Sequence, residues 1–251
     1  MITGLQYKHK KPGPSLSEFV DSFWMLHNPS DEAKEIIVLP DGRIDLFFSR
    51  SSTSPFHITL LGLETYPKQT TIPPQTLTFA VSFNPLAIEY IFNQSIADLL
   101  DAGKTMPSNL WGFNETELDD FDAFCIKASQ SIKTLLPAKF DTRKQELFKL
   151  LYKNIDNTKI KELAEKVFWS SRQINRYFNQ QFGLPLKAYC NILRFRASFQ
   201  QIKEGKLFPE GNFADQSHFI KEIKKLSGVS PKDLNKNKND RFIQFSLLDK
   251  K

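Results

Sequence analysis

The sequence predicts an α+β protein, a β-rich N-terminal domain with flanking helices followed by an all-α domain. Three observations predict it. Short β-branched and aromatic runs broken by Pro, Gly and Asn dominate the first 140 residues. Apolar residues at helical spacing then take over until about Gly205. The charge divides at the same place: residues 1–140 carry 11 Lys/Arg against 16 Asp/Glu, and residues 141–251 carry 23 against 12. The overall +6 therefore hides a basic half with a net charge of +11.

Composition excludes several classes. With 40% hydrophobic residues and 23 Phe in 251, the chain has material for a core in each of two domains, which a disordered chain lacks. Two cysteines, Cys125 and Cys190, make neither a disulfide framework nor a Cys-rich zinc site. Met1 is followed by Ile2-Thr3-Gly4 and basic, polar residues rather than a signal peptide, and no run of about 18 apolar residues exists. The expectation is a soluble, cytoplasmic protein with no membrane partner. His9, His27, His57 and His218 show no paired zinc spacing, and no glycine belongs to a phosphate-binding loop or a nucleophile elbow. Cys125, in an amphipathic helix, reads as core. No enzyme, cofactor or metal is expected.

In chain order, Ile36-Ile37-Val38-Leu39, Pro40-Asp41-Gly42 and Arg43-Ile44-Asp45-Leu46-Phe47-Phe48 read as strand, turn, strand. Ile44, Leu46 and Phe48 alternate with Arg43, Asp45 and Phe47. Asp41 and Asp45 are a candidate acid pair, for which a turn-forming role beside Gly42 is the simpler account. Phe56 to Leu61 and Thr76 to Phe83 are further β-rich runs, and Leu86 to Phe92 is a short helix. Leu118 to Leu136 is a longer helix, with Asp119, Asp120 and Asp122 in its first turn. Trp24, Phe47, Phe48, Phe79, Phe83 and Trp111 are candidates to line a pocket, although packing is the commoner role of such aromatics. Pro137 to Asp141 interrupts the helical pattern and places the boundary near 137–142. It divides the chain into 1–140, a β-rich domain, and 141–251, a basic helical domain.

The second half carries the motif. Thr142 to Asn154 places Leu147, Leu150 and Leu151 on one face. Lys159 to Val167 places Ile160, Leu163, Ala164 and Val167 at i, i+3, i+4 and i+7. After Phe168-Trp169-Ser170 another helix begins at Ser171, with Ser170 as N-cap and Gly183 as stop. It buries Ile174, Tyr177 and Phe178 and shows Arg172, Asn175, Arg176 and Asn179. Two short helices joined by a tight turn, the second with an Arg-bearing outer face, make a helix-turn-helix. In that motif the second helix lies in the DNA major groove, where Arg and Asn pair with guanine and adenine edges. A merely solvated helical hairpin is the competing reading, as a lysine-rich solubilising surface is for the charge.

A 45-residue shift superimposes Ile174 on Phe219, Arg176 on Lys221, Phe178 on Ile223 and Gly183 on Gly228. A helix over Gln216 to Leu226 thus repeats the first, across a connector helix of about 18 residues from Leu186 to Lys203. Two such helices on a rigid connector suit successive major grooves, about 34 Å apart.

Residues 142–235 resemble the DNA-binding domain of the AraC/XylS family of bacterial transcription regulators. The carriers are Leu163-Ala164-Glu165, Ser170 through Phe178, Gly183 with Tyr189 and Arg194, Asp215 through Phe219, and Gly228-Val229-Ser230-Pro231. The resemblance implies a tandem helix-turn-helix, a sequence-specific activator or repressor, double-stranded DNA as partner, and a sensor or regulatory role for residues 1–140. Carried over by position, the DNA-binding candidates are Ser171, Arg172, Gln173, Asn175 and Arg176 in the first motif, and Ser217, His218 and Lys221 in the second. A small-molecule effector, RNA polymerase and a second copy of the chain stay open as partners. A protein-binding adaptor, or an enzyme of unknown type with a helical lid, stands as the alternative.

Three departures stand out. Phe168 occupies the turn where the family usually has glycine, and Pro185 comes one place early. Gly205 to Asn212 falls where the second motif's supporting helix belongs, yet two glycines and a proline do not hold a regular helix. The second motif is expected to be truncated and to grip phosphate more than bases.

Overall fold

Alternating apolar runs build a six-stranded antiparallel sheet in the computed structural model, which describes residues 4–153, 160–208, 213 and 215–247. Its strands are β1 (Gln6–Lys10), β2 (Val20–Asn28), β4 (Ile44–Arg50), β5 (His57–Leu61), β7 (Thr76–Phe83) and β8 (Gly103–Met106). Their spatial order is β1-β2-β7-β4-β5-β8. A separate ribbon pairs β3 (Lys34–Val38) with β6 (Lys68–Ile72). The protein is α+β, as the sequence predicts.

The strand–turn–strand reading of 36–48 finds both strands but not a hairpin. β3 pairs with β6, while β4 pairs with β5 and β7, so the Pro40-Asp41-Gly42 turn hands the chain from one sheet to the other. Gly42 takes φ 76° there, a left-handed conformation that glycine adopts without steric cost.

The two faces of the large sheet differ. Phe23, Met25, Leu46, Phe48, Ile58, Leu60, Phe79, Val81 and Phe83 are buried, and this face packs under α1 (Pro85–Ile91) and α2 (Phe121–Leu135). Phe48 and Phe79 meet Phe124 of α2 edge to face, at 5.1 and 5.3 Å between ring centroids. The opposite face carries Trp24, Asp45, Phe47, Ser49, Thr78 and Ser82 and looks toward the ribbon across open space.

Beyond the 136–141 break, α3 (Thr142–Lys153), α4 (Ile160–Lys166), α5 (Ser171–Phe182), α6 (Leu186–Ala197), α7 (Phe199–Lys203), α8 (Gln216–Ser227), α9 (Pro231–Lys236) and α10 (Ile243–Leu247) follow. The expected helix ends at Asn154 and Lys159 lie outside the described residues, as do Pro209 to Asn212 of the expected irregular segment. Gly205 to Phe208 is non-helical. The connector from Leu186 to Lys203 is broken, not continuous. Buried Ser198 turns its hydroxyl back onto the Phe195 carbonyl at 2.6 Å, competing with the helix ladder at that point.

The chain end returns to the β-rich half. Ile37 N–H donates to the Arg241 carbonyl, and the Gln244 carboxamide exchanges hydrogen bonds with both backbone groups of Leu39. One hydrophobic cluster runs from the sheet through α1, α2 and α3 into α8. No helix among the described residues is long and apolar enough to cross a membrane.

Candidate nucleic-acid interface and ligand cavity

Local chemistry fixes the α4–turn–α5 unit. Ser170 Oγ accepts from the Gln173 N–H at 3.2 Å while Gln173 Oε1 accepts from the Ser170 N–H at 2.8 Å, a reciprocal capping box. Gly183 ends the helix at φ 80°. Ile174, Phe178 and Phe182 are buried against α3 and α6. Phe168 stands in the turn at φ 54° with 88% of its surface exposed, so the glycine-like backbone carries a bulky side chain that packs against little.

Of the first-motif candidates, Arg172, Gln173 and Arg176 are exposed and Ser171 and Asn175 half-buried. Gln173 spends its carbonyl on the cap. Asn175 donates to the Ser171 carbonyl at 3.0 Å, which turns its amide along its own helix. Arg176 borders a small recess of about 290 Å³ with Arg143, Lys144, Trp169, Tyr177 and Gln180. Arg143 is paired with Asp141 at 2.9 Å and lies 5.3 Å over the Trp169 ring.

The far end of α5 is docked on the β-rich half. Ser95 Oγ donates to the Gln180 carbonyl at 2.7 Å, Ile96 N–H to Gln181 at 3.0 Å, and Gln181 Nε2 to Gln94 at 2.8 Å. Tyr177 donates to Glu89 at 3.1 Å, and Lys144 pairs with the same carboxylate. A Cβ on Gly183 would stand 2.7 Å from the Ala97 carbonyl, so this approach requires glycine twice over. The N-terminal turns of α5, which carry Arg172 and Arg176, are left open.

Helix α8 repeats this design 45 residues on, over its whole length. Asp215 caps it by accepting from the His218 N–H at 2.8 Å, and Gly228 ends it at φ 76°. Phe219, Ile223 and Leu226 are buried; Ser217, Lys221, Lys224 and Lys225 are exposed. His218 is half-buried and meets Phe213 with ring centroids 5.8 Å apart.

A cavity of about 980 Å³ lies between the polar face of the large sheet, the ribbon and α10. Its wall includes Tyr7, Trp24, Asp41, Asp45, Phe47 and Arg196, and exposed His9, Thr53, Thr70 and Thr71 stand at its rim. Register assembles its centre. Asp45 lies opposite Ser82 on β7, which donates to it, and Trp24 Nε1 donates to the Ser82 hydroxyl at 2.9 Å. Asp21 receives Arg43 at 2.9 Å and Arg196 of α6 at 3.1 Å, joining the sheet to the helical half. Burial pushes the Asp41 carboxyl up to about 6, partly offset by Arg43, and the Asp45 carboxyl up to about 7, with Asp41 adding to the rise. Burial likewise raises the Tyr7 hydroxyl.

The turn account of the acid pair holds for Asp41, whose carboxylate accepts from the Arg43 N–H at 3.0 Å, and fails for Asp45, which sits inside a strand facing the cavity. The six aromatics divide. Phe48, Phe79 and Phe83 are core, Trp111 packs on Phe83 and Phe92, and Trp24 and Phe47 line the cavity. Asp21 and Arg196 escaped the sequence reading. Their partnership spans 175 residues, and the strand Val20–Asn28 that carries Asp21 was itself not read from the sequence.

Residues 8–104, from β1 into β8, match a family model described as a domain of unknown function (DUF6597). No curated protein sequence matches the chain. Among solved structures the chain is similar to ToxT from Vibrio cholerae. In a 1.65 Å structure of that protein the identity is 12%, over 92% of this chain and 97% of that one, with a TM-score of 0.41. ToxT bound to (E)-4-(8-methylnaphthalen-1-yl)but-3-enoic acid gives 12% identity, 92% and 98% coverage, and 0.43. ToxT bound to an unsaturated fatty acid gives 13%, 93% and 95%, and 0.39.

Proposed function

We propose that this chain is a sequence-specific DNA-binding transcriptional regulator of the AraC/XylS type, acting in the cytoplasm on double-stranded DNA. Residues 141–251 are its DNA-binding domain and residues 1–140 its regulatory domain, controlled by a small molecule held in the cavity or by dimerisation. One observation carries the reading. Two twelve-residue helices, 45 residues apart, share their cap type, their glycine stop and their buried positions, and turn Arg172 and Arg176 or Lys221, Lys224 and Lys225 outward. A shared fold accounts for the repeated core positions. One outward cation repeats, Arg176 and Lys221, and with the further basic residues on each helix and a segment net charge of +11 it is accounted for by a polyanion.

The exposed end of α5 supports base reading, since a recognition helix contacts base edges with its N-terminal residues. Ser171 stands near that end, and Gln173 and Asn175 reach DNA there by giving up their bonds to Ser170 and to the Ser171 carbonyl. Ser217, His218 and Lys221 form the corresponding edge of α8. The test selects bound sequences from randomised duplex DNA with the full-length chain. A defined motif is expected, with binding that falls steeply with salt at a log–log slope of about −0.9 per phosphate neutralised. No enriched motif, or binding flat with salt, overturns the reading. Absence of any DNA binding, with salt-insensitive binding of a protein, favours a protein-binding adaptor.

A further inference from the structure

Two sheets stacked face to face normally fill the space between them with interdigitating apolar side chains. Here the inner face of the large sheet presents Arg43, Asp45, Ser49, Thr78 and Ser82 instead, around a cavity near the upper end of the usual size for small-molecule sites. Ser49 and Thr78 bond each other at 2.8 Å and Ser82 bonds Asp45, so the bonding capacity left for a ligand lies with the charged groups.

The charges show what is missing. Arg43 and Arg196 both spend their charge on Asp21. Arg50, also on the wall, pairs outward with Glu115 at 2.9 Å and Asp119 at 3.5 Å. Asp41 has the Arg43 backbone N–H and Asp45 the Ser82 hydroxyl, and neither carboxylate meets a cationic side chain at ion-pair distance among the described residues. Arg43 adds a separate demand. Its side chain is nine-tenths buried, yet Nε and Nη1 find no acceptor among the described residues, so an oxygen on the ligand, such as a hydroxyl beside its cation, would complete the wall as well. Beside the carboxylates stand Trp24 and Phe47, edge to face at 5.0 Å, and aromatic rings next to carboxylates are a recurrent setting for organic cations.

We propose that this cavity binds a small organic amine, its ammonium group held by Asp41 and Asp45 and its body lying along Trp24 and Phe47. A carboxylate ligand would face Asp41 and Asp45, while the guanidinium groups of Arg43, Arg50 and Arg196 are each already paired with an acid. Burial raises both carboxyl groups with Arg43 only partly offsetting it, and an ammonium group beside them would lower both. The inference rests on the regulator reading only in calling the ligand an effector.

The test compares matched compounds on the full-length chain by thermal shift and calorimetry: phenylethanolamine, phenylethylene glycol and mandelate, then hexylamine, hexanol and hexanoate. An amine is expected to bind and to raise the melting temperature, and its neutral and acidic counterparts to do neither. Asp45→Asn, checked for folding by circular dichroism, is expected to lose at least about tenfold in amine affinity, as fits a charge-assisted hydrogen bond. Should Asp45→Asn not fold, selectivity among the matched compounds in the parent chain decides alone. Failure of both amines to bind, equal binding of the carboxylates or alcohols, or undiminished amine binding by a folded Asp45→Asn protein overturns the proposal. DNA selection is scored separately. Amine binding without a DNA motif would sink the regulator reading and leave this inference standing, and the converse result would do the reverse.

Discussion

Helices α5 and α8 are alike in length, caps and buried pattern but are held differently. Residues 89–97 of the β-rich half clamp α5 along Tyr177, Gln180 and Gln181. Helix α8 rests on α6 and α9 of its own half through Phe219, Ile223 and Leu226. The outward charges differ as well. Arg172 and Arg176 carry planar, fork-shaped donors suited to base edges, whereas Lys221, Lys224 and Lys225 are point charges suited to phosphate. Sequence repetition thus reproduces a scaffold without reproducing its placement, and base reading tolerates less misplacement than phosphate contact.

The sharpest way to break that comparison is a paired selection on two variants. Arg176→Ala is expected to cost specific binding about 1–3 kcal/mol and to blur the selected motif, with non-specific binding less changed. Lys221→Ala is expected to weaken binding to all sequences alike and to flatten the salt slope by about one unit. If Lys221→Ala alters base preference as strongly as Arg176→Ala, the two helices read DNA equally and the contrast is lost.

A smaller effect probes the clamp. Tyr177→Phe removes the hydroxyl that reaches Glu89 and is expected to lower stability by about 1 kcal/mol in urea unfolding. It should also loosen the motif selected by α5 while leaving the salt slope unchanged. A variant as stable and as selective as the parent would show that this hydrogen bond does not position the helix. The smallest expected effect lies in the turn. Phe168→Gly relieves a left-handed backbone and gives up little packing, so a gain of up to about 1 kcal/mol is expected. A fall in melting temperature would mean that the exposed ring has a partner within the folded chain.

The legible parts were those written in consecutive residues. Ser170, Gly183 and the span Ser171–Phe182 were read correctly because caps, glycine stops and a 3.6-residue period are local signals. Thr76–Phe83 was found for the same reason, its ends marked by prolines and an asparagine. β2 was missed although it is the second strand of the sheet. Its central run Phe23-Trp24-Met25-Leu26 is apolar or aromatic on both faces, so the alternation that marks a half-exposed strand is weak. The connector was read as one helix because nothing in its periodicity reveals that the Ser198 hydroxyl folds back on the ladder.

By itself the sequence determined the α+β order, the helix-turn-helix with its caps, the charge division and the 45-residue repeat. Each of these depends on neighbours within a turn or two, or on a count along the chain. The tertiary structure decided the rest: that β3 pairs with β6 rather than β4, that Trp24 and Phe47 leave the core for a cavity, and that Arg43 and Arg196 meet on Asp21. Strand partners and ion pairs are chosen by which long-range arrangement buries the most apolar surface with its polar groups satisfied. That choice is a competition among distant segments, and no single stretch of residues records its outcome.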